Sequence, residues 1–178
     1  MFSFGKKKNT IQVIDVVFMT ITSKWLACLN AIGTNKSIIF IAWFEETRQQ
    51  LQHYLEENHL ESASVILYRE ANAHVVADKQ IIFIEHYPLS EKEAILFTSL
   101  NLSEVRVFSA LEEPFFQYFG GGRIMELMKK MGAEDNEPIE HPMIGMALKN
   151  AQEKLSKKVI VATDANSQSG WFSNNLPT

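Results

Sequence analysis

The sequence of 178 residues contains one cysteine, Cys28, and this scarcity excludes an intrachain disulfide and a cysteine-based metal cluster. Cys28 lies in an apolar stretch and is interpreted as a small core residue. No apolar run approaches the roughly 20 residues that a membrane-spanning helix requires, so membrane insertion is not expected. The amino end also lacks the apolar centre of a signal peptide, which predicts a cytoplasmic protein.

An excess of positive charge is lacking as well. The 17 lysines and arginines are outnumbered by 21 acidic residues, which gives a formal net charge of −4. The densest basic run, Lys6-Lys7-Lys8, is interpreted as a solvated tail. A protein that binds nucleic acid usually carries a basic stripe across a folded surface, so no nucleic-acid partner is expected. The apolar fraction of 46% and the chain length are typical of one folded domain.

Motifs that hold phosphates, metals or catalytic nucleophiles are also missing. No G-x-x-x-x-G-K-[ST] loop occurs, and Gly120-Gly121-Gly122 is interpreted as a helix-entry turn because it lacks the lysine and hydroxyl of such a loop. The five histidines are not spaced as metal ligands. No G-x-S-x-G motif occurs, so no catalytic, cofactor-binding or metal-binding residue is assigned. Glu85-His86 ends a predicted strand, and a hydrogen-bonded structural histidine is the preferred interpretation.

What the sequence does contain is an alternation of strand-like and helix-like segments, which is typical of a parallel α/β sheet. Apolar runs predict strands at 14–20, 37–43, 64–68, 80–86 and 105–109. The runs 38–43 and 81–84 are apolar on both alternating faces, so we expect them near the centre of the sheet. Helices are predicted between the strands, two of them started by capping boxes formed by Ser90 with Glu93 and Ser109 with Glu112.

Beyond residue 119 the pattern changes to helices. The sequence predicts a helix after the glycine run, an acidic loop at 134–138, and a second helix over 143–156. A last strand at 159–163 and a last short helix at 167–175 complete the prediction. The expected organisation is a flexible segment at 1–13, an α/β domain at 14–119, and a helical appendix at 120–178 that packs on the same domain.

A family resemblance rests on two motifs in this appendix, Ile139-Glu140-His141-Pro142 and Asn150-Ala151-Gln152-Glu153-Lys154. With the phenylalanine-glycine step and basic helix before them, they make residues 119–155 resemble the SecA translocation ATPase where its second nucleotide-binding domain enters the helical scaffold. Residues 15–20 and 105–119 look like the first strand and the last strand and helix of that domain. The resemblance implies a three-layer, RecA-like α/β fold with a mostly parallel sheet and helices on both faces.

Two motifs of the SecA family are not found in this sequence. The stretch 94–101 stands where that family has the arginine-rich loop that reaches the γ-phosphate, and it contains neither arginine nor glycine. The interval 70–79 is too short for the strand and loop of the preceding family motif. The resemblance therefore implies a degenerate domain whose nucleotide chemistry is lost, and no cofactor is expected.

Three functional hypotheses remain open at this point. The first is a non-catalytic accessory or protein-interaction module linked to preprotein translocation, and no enzyme activity is expected of it. The second is a split ATPase component that completes a nucleotide site with a separate motor half. It would use one of four arginines, Arg48, Arg69, Arg106 and Arg123. The third is an enzyme with an unrecognised site at the strand ends near Trp43, Tyr68 and His86.

The expected partner is another protein, either a translocase component or a second copy of the chain. An aromatic cluster at 115–119 has more aromatic surface than one helix face buries easily, which leaves core packing and partner contact as alternatives. The residues Glu140 and His141 belong to the family motif, with local helix capping as their alternative role. The candidate partner contacts are therefore Phe115, Phe116, Tyr118, Glu140 and His141.

Overall fold

The computed structural model describes residues 11–35, 37–139 and 142–177 of the chain. Five strands form one parallel sheet in the order β1-β5-β4-β2-β3. The strands are β1 Gln12–Phe18, β2 Ile38–Ala42, β3 Ser64–Leu67, β4 Gln80–Phe83 and β5 Glu104–Ala110. The predicted RecA-like α/β layout, with a parallel sheet and a helical appendix, is confirmed. The segment 1–10, which includes the basic run, lies outside the described residues.

The interior position of β2 and β4 follows from their composition. Both strands pair with a neighbour on each side, and every residue of β2 is buried. Alternate side chains serve opposite faces of the sheet: Phe40 and Ile82 enter one hydrophobic cluster, whereas Ile41 and Phe83 enter the other. The prediction that these two apolar runs lie inside the sheet is confirmed.

Helices cover both faces of this sheet. They are α1 Ile21–Thr34, α2 Glu45–Glu57, α3 Ala73–Val76, α4 Ser90–Ser99, α5 Pro114–Tyr118, α6 Gly121–Lys130, α7 Pro142–Lys158 and α8 Gln168–Asn175, with a 3-10 turn at Tyr68–Glu70. Side chains of α1 and α2 pack into one hydrophobic cluster, and those of α4, α5, α7 and α8 pack into the other. We call these the first and second helical layers. Among the described residues, no helix is long and apolar enough to cross a membrane.

The glycine run at the start of α6 is a helix entry, as predicted. Gly120 is the N-cap and has a φ of +89°, a left-handed conformation that favours glycine. At Gly121 an added Cβ would lie 2.7 Å from the carbonyl oxygen of Leu111, so the backbone approaches too closely for any side chain. Both glycines are therefore explained by the path of the chain between α5 and α6.

Both predicted capping boxes are wrong. Helix α4 begins at Ser90 itself, and α5 is preceded by Glu113, while Ser109 lies inside β5. The two acids of the predicted boxes bind elsewhere: Glu93 accepts from the Tyr87 backbone amide, and Glu112 accepts from the backbone amide of Ile21. Each of these two acids therefore binds a backbone amide outside the predicted helix instead of the amides at the helix start.

The predicted last strand at 159–163 is also wrong. Ile160 and Val161 are 95% and 85% exposed and belong to no strand. The amide and carbonyl groups of Thr163 bind the side chain of Asn175 instead of a neighbouring strand. The predicted last helix, in contrast, is confirmed as α8, whose first turn is capped by the Ser167 hydroxyl.

Candidate functional site

The carboxyl ends of β2 and β4 form the most suggestive position in this fold. These strands are neighbours, but the chain leaves β2 towards β3 on one side and leaves β4 towards β5 on the other. In open parallel sheets, ligands bind where successive connections diverge in this way. Three groups of side chains meet at this edge. Two are clusters of buried polar and charged residues, and the third lines an aromatic crevice.

The first group, the Lys24 cluster, consists of Lys24, Glu85 and Glu113. The Lys24 ammonium is buried and donates to the carbonyl oxygen of Ile84 at 2.8 Å and to Glu113 Oε1 at 2.6 Å. The same carboxylate oxygen accepts from the backbone amide of Ala110 at 2.9 Å. Lys24 therefore ties α1 to the ends of both β4 and β5.

Glu85 follows β4, and its carboxyl group lies at the start of α2. Its Oε1 accepts from the backbone amides of Trp43 and Phe44, each at 3.0 Å, and its Oε2 accepts from the Thr47 hydroxyl at 2.7 Å. Burial raises the pKa of Glu85 to about 8, although the nearby Lys24 charge works in the opposite direction. The amides that could otherwise hold an external anion at this helix start are thus bound by the protein's own carboxyl group.

The second group, the His86 cluster, consists of Asp15, His86, Glu93 and Gln152. The imidazole lies between two carboxylates, with Nε2 at 3.0 Å from Asp15 Oδ1 and Nδ1 at 3.0 Å from Glu93 Oε1. Burial by itself would lower the pKa of His86, but the two acids, Glu93 foremost, raise it to about 10. His86 is therefore a charged imidazolium that donates through both nitrogens.

Gln152 connects this cluster to the appendix. Its amide nitrogen donates to Glu93 Oε2 at 2.8 Å and to the carbonyl oxygen of Tyr87 at 2.9 Å. Near the start of α7, an added Cβ at Gly145 would lie 2.9 Å from Asp15 Oδ2, so the helix backbone lies close to that carboxylate. Helix α7 is thus hydrogen-bonded to the His86 cluster through Gln152, and its backbone approaches Asp15 closely at Gly145.

The third group, the aromatic crevice, is a cavity of about 460 Å³ whose walls include Trp43, Tyr68, Tyr87 and Lys92. The Trp43 ring centroid lies 5.0 Å from that of Tyr68 and 5.2 Å from that of Tyr87. The Lys92 ammonium lies 4.8 Å and 4.4 Å from the centroids of the two tyrosine rings. Asp164 completes the mouth by accepting from Lys92 at 3.0 Å.

The end of the chain closes over the same edge of the sheet. The side chain of Gln168 accepts from the Phe115 amide and donates to the His86 carbonyl oxygen, while the Trp171 indole donates to the Tyr87 hydroxyl at 3.1 Å. The carbonyl oxygen of Asn166 accepts from an amide in the first turn of α2. Residues 166–171 thereby contact all three groups or their immediate neighbours.

The predicted partner contacts differ in exposure. Phe115 and Phe116 are 1% and 9% exposed and pack in the hydrophobic core, whereas Tyr118 is 45% exposed. Glu140 and His141 lie outside the described residues. Core packing therefore explains the first two aromatic side chains, and a partner contact through the cluster stays a prediction.

Exposed apolar side chains do occur nearby, on α6 and α7. Ile124, Leu127 and Met131 are 47%, 58% and 73% exposed and follow one side of α6. An apolar groove of about 340 Å³, lined in part by Ile124, lies between α5, α6 and α7. We call the exposed set the appendix surface, and it consists of Tyr118, Ile124, Leu127, Met131 and Met146.

The prediction of a hydrogen-bonded structural histidine at His86 is confirmed, but sequence reasoning named none of the partners in either charged cluster. The members come from different strands and helices, and no local spacing marks Asp15, Glu93 and Gln152 as partners of His86 or of one another. The available signal was the acidic and basic pair Glu85-His86 at the end of an otherwise apolar strand. The suggestion that residues near Trp43, Tyr68 and His86 share one edge of the sheet matches the structure, although His86 itself belongs to the neighbouring cluster.

Comparison with known proteins gives short, local matches. No protein-family model matches the chain. The protein translocase subunit SecA of Desulfotalea psychrophila is 46% identical over 50 residues, which are 28% of this chain and 6% of that protein. SecA of Symbiobacterium thermophilum is 40% identical over 55 residues, 31% of this chain and 6% of that protein. The matched stretch is a small part of these relatives, and the chain contains a SecA-related region.

Proposed function

We propose that this protein is a non-catalytic, SecA-like accessory module that binds a protein component of preprotein translocation through its appendix surface. The observation that carries the proposal is the coincidence of two features in α6 and α7. Helix α6 and most of α7 belong to the segment 119–155, whose motifs resemble SecA, and these helices expose large apolar side chains at Ile124, Leu127 and Met146. Exposed apolar surface of this kind marks interaction sites.

The arrangement on α6 fits a groove on a partner. The spacing of Ile124, Leu127 and Met131 places them along one stripe of the helix, as in helices that dock into apolar grooves. Arg123 and Lys130, both exposed, flank this stripe. Helix α6 packs mainly against α5, which leaves its outer side open. The partner surface expected from these features is an apolar groove with an acidic rim.

The polar groups at the carboxyl edge of the sheet support a role without catalysis. Lys24 and His86 are each bound by the protein's own acceptors, and Glu85 binds two backbone amides and a hydroxyl. Polar groups that are hydrogen-bonded inside the protein stabilise the fold and are not free to bind a substrate. The absence of the family's arginine-rich loop points in the same direction.

In this proposal the chain descends from the second nucleotide-binding domain of a SecA-type motor and works in the cytoplasm. Residues 14–119 form its α/β domain, and residues 120–178 form an appendix packed on the same domain. Burial of Leu148 and Leu155 in the hydrophobic cluster between the sheet and the second helical layer, together with the Gln152 hydrogen bonds, supports that packing.

The proposal is tested by measuring binding to purified SecA and to the other purified translocase subunits of the same cell. We expect saturable binding to one of them, weakened about tenfold or more by Ile124→Glu combined with Leu127→Glu, because buried apolar anchors dominate such interfaces. Ile95→Glu on α4, where the wild-type side chain is 64% exposed, is the matched control and should bind normally. No binding to any subunit, or equal loss in the control, would contradict the proposal.

The split-ATPase alternative is favoured by one observation, the exposed Arg69 at the rim of the aromatic crevice. A guanidinium there could reach a phosphate held by another protein. If a mixture with SecA hydrolyses ATP faster than SecA alone, and Arg69→Ala removes the increase, this alternative replaces the accessory role.

A further inference from the structure

We propose that the apolar groove between α5, α6 and α7 binds the exposed Ile160-Val161 pair of a second copy of this chain, so that the protein self-associates. We call Ile160 and Val161 the apolar knob. The groove shares Ile124 with the appendix surface, but the inference goes beyond the proposed function because the contact needs no translocase subunit. Knob and groove belong to one sequence, so every copy carries both halves of the contact.

The apolar knob follows the end of α7. Its two side chains are 95% and 85% exposed, and they are the most exposed large apolar side chains in the part of the chain that the structure describes. Scattered single apolar side chains are normal on a protein surface, whereas contiguous exposed apolar surface marks interaction sites. The knob is contiguous, since its two β-branched residues are adjacent in the chain.

The chain is fixed on both sides of the knob. Val159 is buried, and its amide donates to the Leu155 carbonyl oxygen at 2.9 Å. The amide and carbonyl groups of Thr163 bind the Asn175 side chain at 2.6 and 2.8 Å. Ala151, the last groove residue on α7, lies about 12 Å before Val159 along the helix at 1.5 Å per residue. The knob is therefore held away from the groove of its own chain and enters only that of another molecule.

The groove has the chemistry and the size to take this knob. Every residue that lines it is apolar. Val17, Leu111 and Phe115 are buried and form its floor, while Ile124 and Ala147 are exposed and stand at its rim. Its volume of about 340 Å³ lies at the lower end of the range of ligand pockets, about 300–1,000 Å³. This size suits a pair of branched aliphatic side chains better than a whole helix.

The charges beside the knob and beside the groove have opposite signs. Lys157 and Lys158 are exposed and lie just before the knob in the chain. Glu134 and Glu137 are exposed in the acidic loop that leads into Ile139, which lines the groove. A knob that enters the groove brings the lysines of one copy towards the acids of the other. Opposite charges across an interface orient the two partners, so this pattern favours a second copy as the occupant.

The test is sedimentation velocity on the full chain alone, measured over a series of protein concentrations. We expect a species heavier than the 20.3 kDa monomer, with a dissociation constant between about 1 μM and 1 mM, because small interfaces are weak and transient. The association should weaken as salt approaches about 1 M, since exposed charges are then screened.

Two variants address the two halves of the contact. Ile160→Glu with Val161→Glu changes the knob, and Ala147→Glu changes the rim of the groove. Each should weaken self-association about tenfold or more, because a carboxylate is costly to bury without a partner. All three positions are exposed in the single chain, so both variants should fold, which circular dichroism checks. Ile95→Glu on α4, where the wild-type side chain is 64% exposed, is the matched control and should associate normally.

Mixing the two variants provides a second measurement. The knob variant keeps an intact groove and the groove variant keeps an intact knob, so the equimolar mixture should regain at least part of the association that neither shows alone. A wild-type protein that stays monomeric up to about 1 mM would overturn the inference. Unchanged association of the knob variant, equal loss in Ile95→Glu, or no recovery in the mixture would do the same.

Discussion

Glu85 and His86 are neighbours at the end of β4, yet they bind opposite helical layers. Glu85 joins Lys24 and the start of α2, so its contacts stay within the first layer. His86 contacts Asp15 on β1 and Glu93 on α4, and through Glu93 it reaches Gln152 on α7. One strand end therefore secures both layers through two different sets of buried charges.

The two clusters also differ in what they hold. The Lys24 cluster lies entirely within the α/β part of the chain, and it links α1, α2, β4 and β5. The His86 cluster crosses from that part to α7, the helix that carries the Asn150-Ala151-Gln152 motif. We infer that the Lys24 cluster contributes to the stability of the whole domain, whereas the appendix depends specifically on the His86 cluster.

The largest expected effect comes from breaking the Lys24 cluster. Lys24→Met removes a buried ammonium and leaves Glu113 buried without its cation, which should lower the free energy of unfolding by about 3–5 kcal/mol. Chemical denaturation followed by circular dichroism measures this loss. The double variant Lys24→Met with Glu113→Gln should recover part of it, since the unpaired charge is gone. A loss of less than about 1 kcal/mol would show that the cluster does not support the domain.

Alkaline pH should weaken both clusters. A group whose pKa is higher in the folded than in the unfolded protein stabilises the fold fully below its unfolded pKa, and that stabilisation is lost as pH rises through the folded pKa. Glu85 shifts from 4.5 to about 8 and His86 from 6.5 to about 10. The free energy of unfolding should therefore fall from mildly acidic pH towards pH 10. Each group contributes a slope of at most about 1.4 kcal/mol per pH unit.

Denaturation curves at a series of pH values separate the two contributions. Glu85→Gln should flatten the lower part of the profile, and His86→Gln should flatten the part up to about pH 10. A wild-type stability that rises steadily across this range would contradict the protonation states assigned to both residues.

A smaller and more local effect is expected at Gln152. Gln152→Ala removes the two hydrogen bonds that join α7 to Glu93 and Tyr87, which should cost about 1–3 kcal/mol because buried acceptors lose their donor. Hydrogen exchange should accelerate in α7 while β2 and β4 stay protected. Lys149→Ala, at an exposed position of the same helix, is the control. Equal acceleration throughout the sheet would mean that the appendix does not unfold separately.

The last prediction is that ATP with magnesium does not bind at micromolar concentration. Micromolar affinity corresponds to about −8 kcal/mol. The amides at the start of α2 are occupied, and the sequence offers no phosphate-binding loop to supply it. Calorimetry should show no saturable heat at micromolar nucleotide. A saturable signal would favour the split-ATPase alternative.

The strands of the sheet could be predicted from the sequence because each one is marked by a short apolar run. Runs such as 38–43 are apolar on both faces, and only an interior strand satisfies that pattern. Predictions failed where a side chain or a backbone group had a partner outside its own helix or strand. Glu93 and Glu112 have the spacing of helix caps, but tertiary contacts bind them elsewhere, and Thr163 is bound by Asn175 instead of a strand. The charged clusters were missed for the same reason.

The most direct test of the proposed role is hydrogen exchange measured by mass spectrometry, on the protein alone and saturated with the translocase subunit that it binds. We predict slower exchange in α6 and the adjoining part of α7, where Leu127 and Met146 are exposed in the free protein. Exchange at the carboxyl ends of β2 and β4 should not change. Protection at those strand ends with none in α6 would contradict binding through the appendix surface.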